Sequence, residues 1–254
     1  MEISTTNAAC RIADTPPWSC EIFDTLDSTN RLARNRPVWH AVRAEIQTGG
    51  YGRTGRHWVS DRGGLWLSAV LPAPGPAARW AILPLAAGWA VAGALARIGV
   101  NNLRVRWPND ILVGPRKLAG LLLERFSTDT AVVGLGLNVH NRPETADFSL
   151  AGQTTSLAAL LPTAPSVDDV AQLMLAALRD MHATLVREGF APIAADLTAQ
   201  YLRPCDVSLT MNDHSTIIAR FHGIDAEGRL LVTTSDGVNH AFAAHDVSLL
   251  REIS

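Results

Sequence analysis

Residues 50–58 read Gly50-Tyr51-Gly52-Arg53-Thr54-Gly55-Arg56-His57-Trp58. Glycines let a backbone bend sharply and approach an anion, and two arginines can hold phosphate oxygens in bidentate fashion. The run matches the GxGxxG spacing of dinucleotide turns and follows an alternating stretch over 41–47 that predicts a strand. A dinucleotide site also needs a helix opening at the glycines and an acidic residue about 20 positions later. Here the chain continues Arg56-His57-Trp58-Val59-Ser60 without a helical pattern, and Pro72-Ala73-Pro74 stands at the ribose position. No GxxxxGK(S/T) phosphate loop occurs, and no VAIK, HRD or DFG motif follows. Neither standard nucleotide fold is therefore expected. An anion-binding loop remains, beside the plainer reading of a surface loop with solvated arginines.

A second chemical signal is a rarity. Of 22 basic residues, 21 are arginine and the one lysine is Lys117. A chain this biased towards arginine keeps lysine where a compact point charge does what a planar fork cannot. It sits in Arg116-Lys117-Leu118-Ala119-Gly120, shortly after Arg106-Trp107-Pro108-Asn109-Asp110. Pro-Asn-Asp is a turn signal in its own right, so a plain hairpin explains that cluster equally well. Further on, Val133-Gly134-Leu135-Gly136-Leu137-Asn138 places two glycines in a strand pattern, which suggests close backbone approach to something. Asn138 is then a polar contact or merely a strand end. The eight histidines show no HxxxH or HExxH pairing, and no side-chain cluster has metal-ligand spacing.

The elements that must position these residues follow from periodicity. Asp27-Ser28-Thr29-Asn30 offers helix caps before a short helix that Pro37 stops. Strands are predicted over 65–71, 103–107, 111–113, 118–124 and 131–139, with an Ala-rich helix ending at Gly99. Ser166 and Asp169 open a longer helix whose stripe is Val170, Leu173, Met174, Ala177, Leu178, Met181 and Leu185. A further helix is read over 192–202. Beyond Pro204, short strands over 207–210, 216–221, 230–234, 239–242 and 247–250 are separated by Asn-Asp and Asp-Gly turns. The chain thus divides into an α+β domain, 1–202, and a small all-β domain, 203–254.

At 254 residues and 47% hydrophobic, the chain can bury a sizeable core and is not intrinsically disordered. Its net charge of −2 lacks the basic excess of wholesale nucleic-acid or anionic-membrane binding. Cys10, Cys20 and Cys205 form no CxxC pair, which fits a reducing, cytoplasmic compartment. The N-terminal residues show no apolar signal segment. The uncharged run 80–96 is short for a membrane span and is expected to be a buried helix.

Taken together, the spaced motifs closely resemble biotin–protein ligases. They are Asp27-Ser28-Thr29-Asn30, Gln47-Thr48 with the loop 50–58, Arg106 to Asp110, Lys117-x-x-Gly120 and Gly134-x-Gly136-x-Asn138. The resemblance covers roughly residues 22 to 252. It implies an α+β biotin/lipoate-ligase-like catalytic domain, a mixed sheet with helices, plus an SH3-like β-barrel at the C-terminus. It implies ATP-dependent formation of biotinyl-5′-AMP, with Mg²⁺ accompanying the ATP. Biotin is then transferred to a lysine of the biotin carboxyl carrier protein of acetyl-CoA carboxylase. Biotin contacts are implied for Ser28, Thr29, Asn30, Gln47, Gly50, Tyr51, Gly52, Arg53, Lys117, Gly120 and Gly136. ATP contacts are implied for Arg53, Arg56, Trp58, Asn109, Lys117 and Asn138. Catalytic roles fall to Lys117, Arg53, Arg56 and Asp110, the last of which could orient or deprotonate the acceptor lysine or serve only the turn.

Three departures stand out. Tyr51 replaces an arginine usual in the loop, removing one positive charge. The C-terminal pattern is shifted, with Arg251 one place late, which puts a domain-crossing arginine contact in doubt. Only 26 residues precede Asp27, too few for the winged helix of the repressor members, so operator DNA binding is not expected. A lipoate-type ligase and a non-catalytic biotin-binding protein are the alternatives, and the oligomeric state, a homodimer included, stays open.

Overall fold

The computed structural model describes residues 11–15 and 18–253; Cys10 lies outside them. In chain order the elements are β1 (Arg11–Thr15), β2 (Trp18–Leu26), α1 (Thr29–Ala33), β3 (His40–Gln47), β4 (Leu65–Pro72) and α2 (Leu83–Arg97). Next come β5 (Leu103–Arg106), β6 (Asp110–Val113), β7 (Arg116–Glu124) and β8 (Thr130–Leu137). The helices α3 (Leu157–Leu160), α4 (Val167–Glu188) and α5 (Ala191–Gln200) follow, and then β9 (Cys205–Met211), β10 (Thr216–Ile224), β11 (Leu230–Thr234), β12 (Asn239–Phe242) and β13 (Val247–Ile253).

Strands β1 to β8 form one mixed sheet in the order β1-β2-β3-β4-β8-β7-β6-β5, in which β2 and β3 run parallel and the other neighbours antiparallel. The remaining five strands form an antiparallel sheet in the order β12-β11-β10-β9-β13. Two strands, β1 and β2, escaped the periodicity reading. In β2, Trp18, Cys20 and Ile22 are buried while Ser19, Glu21 and Phe23 are not, a period-two signal set among acids and prolines.

Period two also explains how the large sheet presents two different faces. Leu65, Leu67, Ala69 and Leu71 of β4, with Val133, Leu135 and Leu137 of β8, join the apolar core beneath α2 and α4. The alternate positions, Ser68 on β4 and Gly134 and Gly136 on β8, face α1 and the loop 48–58. Helix α2 carries the run suspected of spanning a membrane. Its Leu83, Leu85, Val91 and Leu95 are at most 2% exposed, so the expectation of a buried helix holds. The predicted cap of α4 is also in place: Ser166 Oγ accepts from Asp169 N at 3.1 Å.

The two sheets share one apolar core, because Val207, Leu209, Phe221 and Val232 of the second belong to the same cluster as α2 and α5. Polar contacts fasten the junction. Trp107 Nε1 donates to Gly228 O at 3.0 Å, and Arg104 pairs with Glu252 at 2.7 Å.

A buried histidine makes this core acid-sensitive. His182 stacks on Trp80, meets Trp39 edge-on, and its Nε2 lies 2.8 Å from Pro72 O, so its Nε2–H donates to that carbonyl. Burial lowers its pKa below the ordinary 6.5, and the Pro72 hydrogen bond opposes this only in part. The unfolded chain therefore takes up this proton first. Stability is full above about pH 6.5 and falls as the pH drops from there towards the lower folded-state pKa. Denaturant titrations of wild type and His182→Phe between pH 8 and pH 5 are expected to converge towards acid pH. A difference independent of pH would refute this.

Candidate active site

Between α1, the loop 48–58 and the glycine-bearing face of the large sheet lies a cavity of about 290 Å³. Its floor is set by strand register. Asp110 of β6 pairs with Gly120 of β7, and Gly120 pairs with Gly136 of β8, so the three form one row across the sheet. Two glycines side by side leave a trough, and the Trp58 indole fills it. A Cβ on Gly136 would stand 2.7 Å from the indole, and one on Gly120 would stand 3.1 Å away. Trp58 Nε1 is buried there without a hydrogen-bond partner, a donor available to a ligand.

One end of the trough is polar and nearly neutral. Ser28, Thr29 and Asn30, where α1 begins, are 4–5% exposed. Thr29 donates to Gln47 Oε1 through its backbone N–H at 2.8 Å and its hydroxyl at 3.0 Å, and Gln47 Nε2 donates to Ser60 Oγ at 3.0 Å. Ser68 Oγ lies 2.7 Å from Thr29 Oγ1 and 2.5 Å from Asn30 Oδ1. Asn30 Nδ2 donates to Glu124 Oε2 at 2.7 Å, and Tyr51 Oη donates to the same oxygen at 2.9 Å.

The other end is cationic. Lys117 Nζ pairs with Asp110 Oδ1 at 2.6 Å and sits 4.8 Å from the centre of the Trp58 ring. Its backbone is clamped too, donating to Gln153 O at 2.8 Å and accepting from Thr155 N at 3.0 Å. Arg106 pairs with the second oxygen of Asp110 at 2.6 Å. Burial alone would push the Asp110 carboxyl up, but the charges of Lys117 and Arg106 and their hydrogen bonds outweigh it, and the pKa falls below the ordinary value. Asp110 is thus a firmly ionised anchor for Lys117 and a weak proton acceptor.

The loop arginines complete this end by an unexpected route. Arg53 Nη2 donates to Ala244 O at 2.5 Å and to Val247 O at 2.9 Å, and Arg56 Nη2 approaches Ser248 O at 3.5 Å. A domain-crossing arginine contact therefore exists, but it runs from the loop to the C-terminal sheet, while Arg251 is exposed. Burial disfavours the Arg53 charge, Asp110 opposes that, and nearby Arg56 adds to it, for a net lowering. A poorly solvated guanidinium of this kind gains most from meeting an anion.

Neutral polar end, apolar trough and cationic end suit an elongated ligand with a polar uncharged head, an apolar stem and an anionic terminus. Known proteins agree with that shape. The model of the biotin/lipoate A/B protein ligase family matches residues 23–138. A biotin–[acetyl-CoA-carboxylase] ligase of Mycobacterium tuberculosis is 33% identical over 216 residues, covering 82% of this chain and 78% of that protein. One of Paracoccus denitrificans is 31% identical over 218 residues, covering 81% and 90%. The chain belongs to the biotin/lipoate A/B protein ligase family. The structure of the biotin protein ligase of Aquifex aeolicus in complex with biotin and ATP aligns over 92% of this chain and 99% of that one. Its TM-score is 0.81, at 26% identity.

The fold brings together most of the residues singled out for the ligase site. Ser28, Thr29, Asn30, Gln47, Tyr51, Gly52, Arg53, Arg56, Trp58, Asn109, Asp110, Lys117, Gly120, Gly136 and Asn138 all line the cavity. Gly50 does not. It stands at the loop base, where a side chain would meet Ser60 Oγ at 2.5 Å and Trp58 O at 2.7 Å. Two asparagines already have partners: Asn109 Nδ2 donates to Leu121 O at 2.6 Å, and Asn138 bridges Thr155 O and Asn141.

Residue-by-residue reading did not place Arg106 in the cavity wall, Ser68 and Glu124 behind it, or the main chain of 244–248 beside the loop arginines. Arg106 was legible, standing four residues before Asp110 in the same motif. Ser68 carried the weaker signal of one hydroxyl inside an apolar strand. The carbonyls of 244, 247 and 248 carried none, because a backbone acceptor has no residue type.

Proposed function

We infer that the protein is an ATP-dependent biotin–protein ligase, and one observation carries this reading most directly. The chain's one lysine is fixed between a carboxylate and an indole at the cationic end of a trough floored by Gly120 and Gly136. In the first step the biotin carboxylate attacks the α-phosphorus of ATP, giving biotinyl-5′-AMP and pyrophosphate. Two anions must meet, so a fixed cation at their junction lowers the barrier. Lys117 holds that position, and Arg53 and Arg56 exchange their carbonyl partners for phosphate oxygens. In the second step an acceptor amine attacks the acyl carbon and AMP leaves with the bonding electrons.

Ser28, Thr29, Asn30 and Gln47 receive the polar bicyclic head of biotin, and Trp58 and the glycines flank its stem. The depressed pKa of Asp110 favours a positioning role over deprotonation of the acceptor amine, whose own pKa is far higher. Asn109 and Asn138 stand on the nucleotide side. Among the described residues no three His, Cys, Asp or Glu side chains are grouped for a metal. In this reading Mg²⁺ arrives on the triphosphate, where it would supply charge neutralisation. The acceptor in this reading is the biotin carboxyl carrier protein of acetyl-CoA carboxylase, in the cytoplasm. The domains are 1–202 and an SH3-like 203–254; the five-stranded antiparallel sheet over 205–253 supports that division.

Pyrophosphate exchange into ATP tests the reading. Exchange is expected with biotin and to stay at background with lipoate or octanoate. Exchange driven by lipoate, or biotin binding without exchange, would replace this function with another.

A further inference from the structure

Beyond its base, where Thr48 N and Gly49 N donate to Leu26 O and Asp27 O, the loop 48–58 is tied to the body of the protein at three places. Trp58 rests on Gly120 and Gly136, Arg53 and Arg56 hold the carbonyls of the C-terminal sheet, and Tyr51 reaches Glu124. The first two ties use groups that a ligand must claim. An acyl stem in the trough competes with the Trp58 indole, and phosphates compete with the backbone carbonyls for the arginines. In the third tie Tyr51 lines the cavity, but its hydroxyl bonds Glu124 at the end of β7, which is not among the cavity-lining residues, so a ligand in the cavity does not claim that acceptor.

Glu124 is well placed to hold on. One of its oxygens accepts from both Asn30 and Tyr51, and the Arg31 guanidinium lies 5.2 Å from the centre of the Tyr51 ring. Tyr51 also pairs with His57 across the loop, so fixing Tyr51 fixes both limbs. Burial first, and then the hydrogen bond and charge of Glu124, raise the tyrosine pKa, so the hydroxyl keeps its donor proton at any working pH.

We propose that Tyr51 and Glu124 form the standing latch of this loop, keeping it over the cavity while its other two ties are exchanged for ligand, and so setting how well the acyl-adenylate is retained. The adenylate clause rests on the biotin-ligase reading above; the latch itself does not. Tyr51 is here a positioning residue, acting through the loop that it holds.

The test uses Tyr51→Phe, Glu124→Gln, Glu124→Ala and the double variant Tyr51→Phe/Glu124→Ala. In the ligand-free protein, trypsin cleavage after Arg53 and Arg56, followed by mass spectrometry, reports loop opening. Tyr51→Phe is expected to be cut roughly tenfold faster, the ratio that loss of one hydrogen bond to a charged group brings. Glu124→Gln keeps an acceptor oxygen and should be cut at nearly the wild-type rate. The double variant should be cut no faster than the faster single one, because both break one contact. With biotin and ATP but no acceptor, AMP release should rise in Tyr51→Phe by a similar factor, as adenylate escapes and hydrolyses.

Unchanged cleavage in Tyr51→Phe, or additive effects in the double variant, would overturn the latch. Faster cleavage with unchanged AMP release would overturn its role in adenylate retention. A wild type without biotin-dependent exchange would instead overturn the function, and the cleavage ratios would still decide the latch.

Discussion

Lys117→Ala is expected to lower biotin-dependent pyrophosphate exchange by about 10²–10³-fold, the loss typical of removing one group aimed at charge developing in a transition state. Biotin affinity should fall less, because the proposed place of the neutral head is the opposite end of the trough, at Thr29, Asn30 and Gln47. The variant should still fold. The Lys117 side chain is 26% exposed, its backbone contacts to Gln153 and Thr155 do not depend on it, and Asp110 retains Arg106 as a partner. Lys117→Arg is expected to recover only a small part of the rate. A guanidinium spans two nitrogens and would pair side-on with Asp110, drawing its charge away from the carboxylate–phosphate junction. Exchange rates with biotin at saturation, with circular dichroism as the folding control, decide the matter. A Lys117→Ala protein with more than a tenth of wild-type exchange would remove this lysine from the chemical step.

The second large effect is expected at the floor. Gly136→Val should weaken biotin binding by more than a hundredfold, measured by calorimetry, while the protein remains folded. The first added carbon already falls 2.7 Å from the Trp58 indole, and the two methyls of valine extend further into the trough. Trp58 belongs to a loop and can move aside, and valine suits a strand, so the cost to stability is limited to about 1 kcal/mol. Gly134→Ala supplies the contrast. Its Cβ would strike the Asn30 side chain, which is 4% exposed and bonded to Glu124 and Ser68. That substitution should therefore show first as a loss of thermal stability. Tight biotin binding by Gly136→Val would mean that the glycine pair is not the ligand floor.

The two glycines look alike in the sequence, each flanked by large apolar residues in one strand. Two glycines in a strand pattern told only that something comes close. That pattern did not tell that Gly134 meets the buried Asn30 while Gly136 meets the Trp58 indole of the loop. That difference depends on what the opposite layer places above each position, and α1 and the loop 48–58 come from distant parts of the chain. Tyr51 teaches the same lesson. As a residue type it read as a lost positive charge, whereas in the fold its hydroxyl finds Glu124, 73 positions away. The strand β2 was a different kind of omission. Its alternation of Trp18, Cys20 and Ile22 was legible, but its position among acids and prolines obscured it.

Local chemistry is what the sequence by itself determined. The one lysine, the Gly-Arg loop, the glycines in β8 and the Ser166–Asp169 cap each follow from residue type and short-range spacing, which backbone sterics and side-chain reach convert directly into structure. Tertiary structure alone decided the pairings. It set Asp110, Gly120 and Gly136 in one row, clamped Lys117 between Asp110 and Trp58, and gave Arg53 and Arg56 main-chain partners in the C-terminal sheet. Such pairings depend on strand register and on the packing of layers far apart in the chain, and a backbone carbonyl accepts a hydrogen bond whatever residue carries it. The identity of an arginine's partner is therefore written in the fold and not in the partner's side chain.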